Sequence, residues 1–368
     1  MSIRVPFNNL SLQWKEIASA ARADLDDIFL NSAFSGGRYV EEFEREIAAW
    51  LGTPHAIACN SGTSALHLAM LAAGIGPGDE VLVPAHTFIA TIWGVLYAGA
   101  TPVLCEVEDE TGNIDVADAA RRITSRTRAI IPVHLYGQAA DLHAVEALAN
   151  EHGLKVIEDN AQAIGAAFDG RKLGTRGLLG CFSFYPGKNL GAAGEAGLVV
   201  TADGELAARM ARLRNHGQAE RYVHTEVGYN YRMDGIQAIV LRQKLRKLDE
   251  WTASRRGWAQ KYDAGLSGLP LRLPKVVHQD HVWHLYVVRT PRRDELRAYL
   301  AGEGVETGLH YPVPNHRQPC LQNFGFDPNG YPVADAWASE CLSMPLFTGM
   351  SDEQVDFTIE ATRRFFKA

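Results

Sequence analysis

Three short segments carry residue types at spacings that can do chemistry. In Cys181-Phe-Ser183-Phe-Tyr185-Pro-Gly-Lys188-Asn-Leu, an apolar run leads through a Pro-Gly turn to a single lysine, and Gly191-Ala-Ala-Gly194 follows. A lysine on a turn beside a sheet edge can be stripped of water, which lowers its pKa and frees the amine to form a Schiff base. An ordinary solvent-facing lysine fits the same residues. In Lys155-Val-Ile-Glu-Asp159-Asn-Ala-Gln162, two acids sit at the carboxyl end of an apolar run, where open α/β sheets bind their ligands. Asp159 there is either a ligand-facing carboxylate or a helix N-cap. Asn60-Ser-Gly-Thr-Ser64 follows a strand and opens a helix, placing backbone N–H groups and hydroxyls at the positive end of a helix dipole. That is a phosphate cradle or a plain capping turn, and it matches neither a Walker A nor a G-x-G-x-x-G pattern.

These segments need a frame that brings strand ends together. Seven short apolar runs, at residues 56–59, 81–84, 102–107, 129–133, 155–157, 181–184 and 198–201, alternate with helical stretches at 64–73, 89–98, 141–152 and 205–215. The pattern predicts an α/β fold, a mostly parallel sheet covered by helices on both faces. From Gly235 a helical periodicity runs to about Ala264 and predicts one long helix that bridges two domains. Turn residues crowd positions 265–274, and beyond them come a strand at 282–288 and helices near 294–301, 334–341 and 352–366. The expected division is a large domain with an N-terminal arm over residues 1–245 and a small α+β domain over 246–368.

Composition narrows the partners. The 368 residues are 46% hydrophobic and 21% charged, with 36 Lys+Arg against 43 Asp+Glu and a net charge of −7. Disorder is excluded, nothing global draws the chain to nucleic acid or to an anionic membrane, and an anionic ligand needs a local site. The uncharged stretch 81–105 has the length of a membrane span, but Pro84 and the Gly99-Ala-Thr-Pro102 turn divide it into strand, helix and strand. The five cysteines are scattered and the first residues lack a signal-peptide core, so a reducing cytoplasm is the expected compartment. His278-Gln-Asp280-His281-Val-Trp-His284 reads like a metal cluster; on a strand, however, three-residue steps send its histidines to opposite faces, and no metal is expected. Arg255-Arg256 and Arg292-Arg293 read as solvated helix faces, and the stripe of Trp251, Trp258 and Tyr262 as inter-helix or dimer packing.

The order and spacing of N-S-G-T-S-A-L, P-A-H-T-F-I-A-T, E-D-N-A-Q-A, F-S-F-Y-P-G-K-N-L-G and G-Y-N-Y-R-M-D resemble one family, the DegT/DnrJ/EryC1/StrS sugar aminotransferases, over nearly the whole chain. The resemblance implies a fold-type-I architecture and pyridoxal 5′-phosphate as cofactor. Lys188 is then the Schiff-base lysine and acid–base, and Asp159 holds the pyridinium nitrogen protonated. Gln162 bonds the ring's phenolic oxygen and Phe88 stacks on its face. Gly62, Thr63 and Ser183 cup the phosphate, with Asn230 arriving from the second subunit of a homodimer. Arg38, Arg221 and Arg232 are the candidates for the donor carboxylate and the substrate diphosphate, while Tyr185, His310 and Tyr311 lie where the sugar would bind. The implied donor is L-glutamate. The implied acceptor is a nucleotide-linked keto-sugar, first of all a dTDP-3-keto-6-deoxyhexose aminated at C3; amination at C4 or of a UDP-linked 3-keto-uronate are the alternatives. Relatives that dehydrate sugars carry histidine in place of the lysine, and a regulator on this scaffold would be expected to lose Lys188 or Asp159. Both residues are present here.

Overall fold

The seven apolar runs form one sheet in the computed structural model, which describes residues 3–277 and 280–367. Two helices come first, α1 (Leu10–Asn31) and α2 (Arg38–Leu51). The strands are β1 (His55–Cys59), β2 (Glu80–Pro84), β3 (Thr101–Cys105), β4 (Thr127–Ile130) and β5 (Lys155–Asp159), then, beyond a two-residue pair β6 (Ala167–Phe168) and β7 (Arg171–Lys172) outside the sheet, β8 (Leu179–Ser183) and β9 (Gly197–Thr201). Their spatial order is β1-β9-β8-β5-β4-β2-β3. Strand β9 runs antiparallel to both its neighbours, and the other neighbours are parallel.

Burial on both faces explains why these strands read as continuous apolar runs rather than alternating ones. Along β2, Val81 and Val83 join the core beneath α3 (Gly62–Ala72) and α4 (Ala90–Tyr97), whereas Leu82 between them joins the opposite core with residues of α5 (Val116–Arg121) and α6 (Leu142–His152). On β9 the same division sends Val199 toward α3 and α7 (Gly204–Leu213), and Leu198 and Val200 toward α2 and α8 (Gly235–Leu245). The stretch 81–105 is thus β2, α4 and β3, and among the described residues no helix is long and apolar enough to cross a membrane.

After α7 comes a small hairpin, β10 (Gln218–Glu220) with β11 (Val223–His224). The predicted single helix from Gly235 is instead two, α8 and α9 (Leu248–Leu266), with Lys247 turning between them. No glycine or proline marks the break. It follows from packing, because Leu245 and Leu248 enter the same core while α8 lies on α1 and α2 and α9 lies on the last helix. The C-terminal portion is built on β12 (Tyr286–Arg289), paired antiparallel with β13 (Cys341–Met344), with α10 (Arg293–Gly302), α11 (Pro332–Glu340) and α12 (Asp352–Lys367). Its core joins Tyr262, Tyr286, Leu300 and Phe365, and Val5 of the N-terminal arm enters it beside Val305.

Three further expectations are corrected. Strand β12 begins at Tyr286 rather than at residue 282, because Trp283 takes a positive φ of 49° that no strand accommodates. The alternating-face argument against a metal therefore has no strand to stand on. His281 instead stacks on Trp283 at 3.9 Å, and His284 bonds Asn189. Among the described residues no group of three or more His, Cys, Asp or Glu side chains could hold a metal; His278 lies outside them. Arg255 and Arg293 are buried rather than on solvated faces, at 3% and 8% exposure, each donating to backbone carbonyls. Trp251 does pack between helices, its indole N–H donating to Glu16 of α1 at 2.9 Å. The five cysteines are unpaired.

Candidate active site

One cavity of about 760 Å³ opens at the carboxyl ends of β5 and β8, the end of an open α/β sheet where ligands bind. Asp159, the last residue of β5, turns its side chain into it. Thr91, in the first turn of α4, donates to one Asp159 carboxylate oxygen at 2.8 Å, and the Ala161 N–H donates to the other at 3.1 Å. The neighbouring acid, Glu158, points the other way. It accepts from the N–H groups of Gly174, Arg176 and Gly177 at 2.8, 2.9 and 2.7 Å and meets His134 at 3.1 Å. Those donors hold its pKa below the usual carboxylate range despite full burial. Asp159 has fewer, and burial pushes its pKa up. Of two adjacent acids, one is a structural tie and the other faces the cavity.

Lys188 sits on the turn after β8, its N–H donating to the Tyr185 carbonyl at 2.8 Å. Burial lowers its pKa to about 8, with the Asp159 carboxylate opposing the shift, so the free amine is far more abundant near neutrality than on a surface lysine. Elsewhere in the wall, Ser61 caps α3 by accepting the Ser64 N–H at 3.0 Å, which leaves Gly62 and Thr63 at the cavity. A Cβ on Gly62 would stand 2.6 Å from Ser183 Cβ. Helix α3 and the end of β8 therefore approach as closely as glycine alone permits.

Phe88, Gln162, Tyr185, His310 and Tyr311 line the same cavity. Gln162 accepts the Tyr136 N–H at 2.7 Å and donates to the Tyr311 hydroxyl at 3.0 Å. His310 stacks on Phe7 of the N-terminal arm at 5.7 Å and bonds Ser343 at 2.8 Å, and burial beside the Lys188 cation lowers its pKa to about 4. Phe88 and Tyr185 are half exposed. The other four predicted residues lie outside the walls of this cavity. Arg38 pairs with Asp27 at 2.7 Å, Arg221 lies exposed over Tyr222, Arg232 donates to Asn215 at 2.8 Å, and Asn230 is exposed, its carbonyl accepting from Asn60 at 3.3 Å.

Sequence reasoning missed Thr91, Arg255 and His284, all in the walls. Thr91 lay inside a quoted motif, one helical turn beyond Phe88, and that spacing was its signal. Arg255 and His284 gave none, for their exposure is set by packing between distant segments.

A buried lysine, a buried aspartate and a helix N-terminus around one cavity of a mostly parallel sheet are an arrangement suited to Schiff-base chemistry in an α/β enzyme. Residues 15–363 match the DegT/DnrJ/EryC1/StrS aminotransferase family, and the chain belongs to it. It is 44% identical over 364 residues to the dTDP-3-amino-3,4,6-trideoxy-alpha-D-glucose transaminase of Streptomyces venezuelae, covering 98% of this chain and 96% of that one. It is 42% identical over 361 residues to the UDP-N-acetyl-3-dehydro-alpha-D-glucosamine 3-aminotransferase of Acidithiobacillus ferrooxidans, with 98% and 97% covered. The crystal structure of S. venezuelae DesV in complex with a ketimine intermediate matches with a TM-score of 0.97 at 43% identity over 100% of both chains. The fold is thus that of a sugar aminotransferase, and its cofactor is pyridoxal 5′-phosphate. The residues present fit that group. The bare approach of Gly62 to Ser183 leaves a cradle for a phosphate, no cationic side chain among the described residues hydrogen-bonds the buried Asp159 carboxylate, and burial lowers the Lys188 pKa to about 8.

Proposed function

We propose that this enzyme moves an amino group from L-glutamate to C3 of a dTDP-linked 3-keto-6-deoxyhexose, giving a 3-amino-3,6-dideoxy sugar, and that it works in the cytoplasm as a homodimer with shared sites. The observation that carries the reading is the convergence of Lys188 and Asp159 with Tyr185, His310 and Tyr311 on one cavity. The similarity to a dTDP-3-amino-sugar transaminase supports the nucleotide and the ring position.

The bound cofactor supplies the electron sink for a carbanion at the reacting carbon. The chain's residues do the rest. Asp159, oriented by Thr91 and Ala161, holds a proton at the ring nitrogen. Lys188 anchors the cofactor and then, as a free amine, takes a proton from the donor's Cα and returns it on the other side of the shift. Gly62, Thr63 and Ser183 hold the phosphate. Gln162, fixed by Tyr136, has its second amide hydrogen for the phenolic oxygen, and Phe88 covers the ring face. Asn230, Arg221 and Arg232 are exposed or half-buried outside the cavity of their own chain, and we assign them to the partner's site, where cations meet the donor carboxylate and the diphosphate. The similarity to a UDP-linked 3-aminotransferase supports a second reading, the same amination at C3 on a UDP-linked sugar.

The test loads the enzyme with the amine form of its cofactor and adds, in separate reactions, a dTDP-3-keto-6-deoxyhexose, a UDP-linked 3-keto sugar and a UDP-linked 4-keto sugar. Return of the yellow aldehyde form and an amino-sugar mass with the first alone is the expected outcome. Reaction with the second alone moves the assignment to UDP. Reaction with only the third overturns the ring position.

A further inference from the structure

His284 is a wall residue that the proposed function leaves idle. It belongs to the stretch between the irregular loop and β12, and it is braced from two sides. Arg255 of α9, itself buried, donates to the Trp283 carbonyl at 3.1 Å, to the His284 carbonyl at 3.5 Å and to the Leu346 carbonyl at 3.0 Å. These bonds fix the backbone. The ring is fixed by Asn189, the residue after Lys188, whose oxygen lies 3.3 Å from His284 Nδ1.

The direction of that last bond follows from its neighbour. Asn189 donates through Nδ2 to the Val282 carbonyl at 2.8 Å, so its Oδ1 is the end that faces the imidazole and can only accept. His284 Nδ1 must carry the hydrogen, and Nε2 is then a bare acceptor. Nε2 has no hydrogen-bond partner among the described residues and is absent from the buried atoms lacking one, so it is not sealed in the interior, and His284 lines the cavity that Lys188 also lines. The charged and titratable groups around the ring are Lys188, Arg255 and His310. Burial and the two cations hold the His284 pKa well below the ordinary histidine range, which keeps the ring neutral and Nε2 an acceptor.

We propose that Asn189 and His284 form a positioning pair for Lys188, in which Asn189 fixes the imidazole tautomer and His284 Nε2 accepts an N–H bond from the free Lys188 amine, aiming it at the reacting carbon. A neutral acceptor suits this task. A carboxylate in the same place would orient the amine equally well but would raise its pKa by Coulomb attraction and weaken it as a base at neutral pH. The catalytic consequence rests on Lys188 acting as the acid–base of the proposed reaction, whereas the effect of the proposed bond on the lysine can be measured without any substrate.

The test follows modification of Lys188 by trinitrobenzenesulfonate against pH in the full-length, cofactor-free protein, with the site identified by peptide mass spectrometry. Burial, opposed by Asp159, puts the midpoint at about 8 without any bond to His284, and that bond should raise it. His284→Phe removes the acceptor that favours the ammonium, and the midpoint should fall by about one pH unit, the size of a hydrogen bond to a charged group. His284→Gln keeps an acceptor and should restore most of the shift. In the loaded enzyme His284→Phe should lower kcat about tenfold or more with the KM for the amino donor little changed, and His284→Gln should recover part of it. An unchanged midpoint in a folded His284→Phe protein overturns the pair. Should that variant fail to fold, Asn189→Ala decides, since a wild-type midpoint there overturns the tautomer clamp. A shifted midpoint in an enzyme that aminates none of the three sugars would sustain the pair and sink the substrate reading.

Discussion

Gly62→Ala tests whether the cradle depends on the close approach of α3 to β8. The added Cβ would meet Ser183 Cβ at 2.6 Å, Oγ at 3.1 Å and Cα at 3.2 Å. Two of those atoms are rigid parts of a strand residue paired with Gly197 across the sheet, so the neighbour cannot swing aside. Overpacking of this kind costs about 1–3 kcal/mol, against less than about 1 kcal/mol gained from alanine's helix propensity. The cofactor-free variant should therefore be about 1–2 kcal/mol less stable in urea unfolding, and its cradle should open. Adding Ser183→Gly removes both the clashing Cβ and the hydroxyl. The double variant should regain most of the lost stability yet bind pyridoxal 5′-phosphate about ten- to 150-fold more weakly than wild type, the worth of one hydrogen bond to a charged group. Spectroscopic titration with the cofactor measures this. Wild-type stability and affinity in Gly62→Ala would refute the close-approach argument, and wild-type affinity in the double variant would refute the hydroxyl's part in holding the phosphate.

The remaining predictions concern the lysine, the aspartate and the partner. Because burial puts Lys188 at about 8, the group is ammonium below that pH and amine above it; cofactor capture by the cofactor-free protein should thus accelerate about tenfold per pH unit up to about 8 and then level off, and a midpoint near 10 would show a solvated lysine. Thr91→Val deletes the 2.8 Å bond to Asp159. That bond favours the charged carboxylate, so its loss should raise the Asp159 pKa further and weaken cofactor binding by about tenfold, and binding at wild-type strength would remove Thr91 from the site. Lys188→Ala and Asn230→Ala chains should each be impaired alone. When mixed, they should recover activity, since one site of the hybrid then carries neither lesion; no recovery would rule out sharing.

What the sequence made legible was local. The seven strands could be read because both faces of the sheet are buried, so Val81, Leu82 and Val83 are all apolar although they enter different cores. The cradle and the lysine turn could be read because their residues are contiguous, with Ser61, Gly62 and Thr63 at one helix start and Ser183 to Lys188 along one strand and turn. Glu158 and Asp159 show where this ends. The sequence places both at the mouth of the sheet, but only the returning loop at residues 174–177, which supplies three N–H donors to Glu158, decides which acid is left facing the cavity.

The misread strand at 282–288 and the misread arginine at 255 share one physical cause. A β-strand satisfies its own carbonyls through the ladder, and a chain that leaves the ladder must find other donors for them once buried. At residues 281–285 the chain leaves it, with Trp283 at positive φ. The freed carbonyls of Trp283 and His284 take their hydrogen bonds from Arg255, and that of Val282 takes its bond from Asn189. Arg255 is buried by that duty, which is why a charged pair on a helix gave no sign of it. The same departure turns His284 from a strand residue of fixed alternation into a wall of the cavity beside Lys188. One loop that refuses strand geometry thus accounts for a buried cation that no described carboxylate pairs, an asparagine amide held in one orientation, and an imidazole in the wall of the cavity that Lys188 lines.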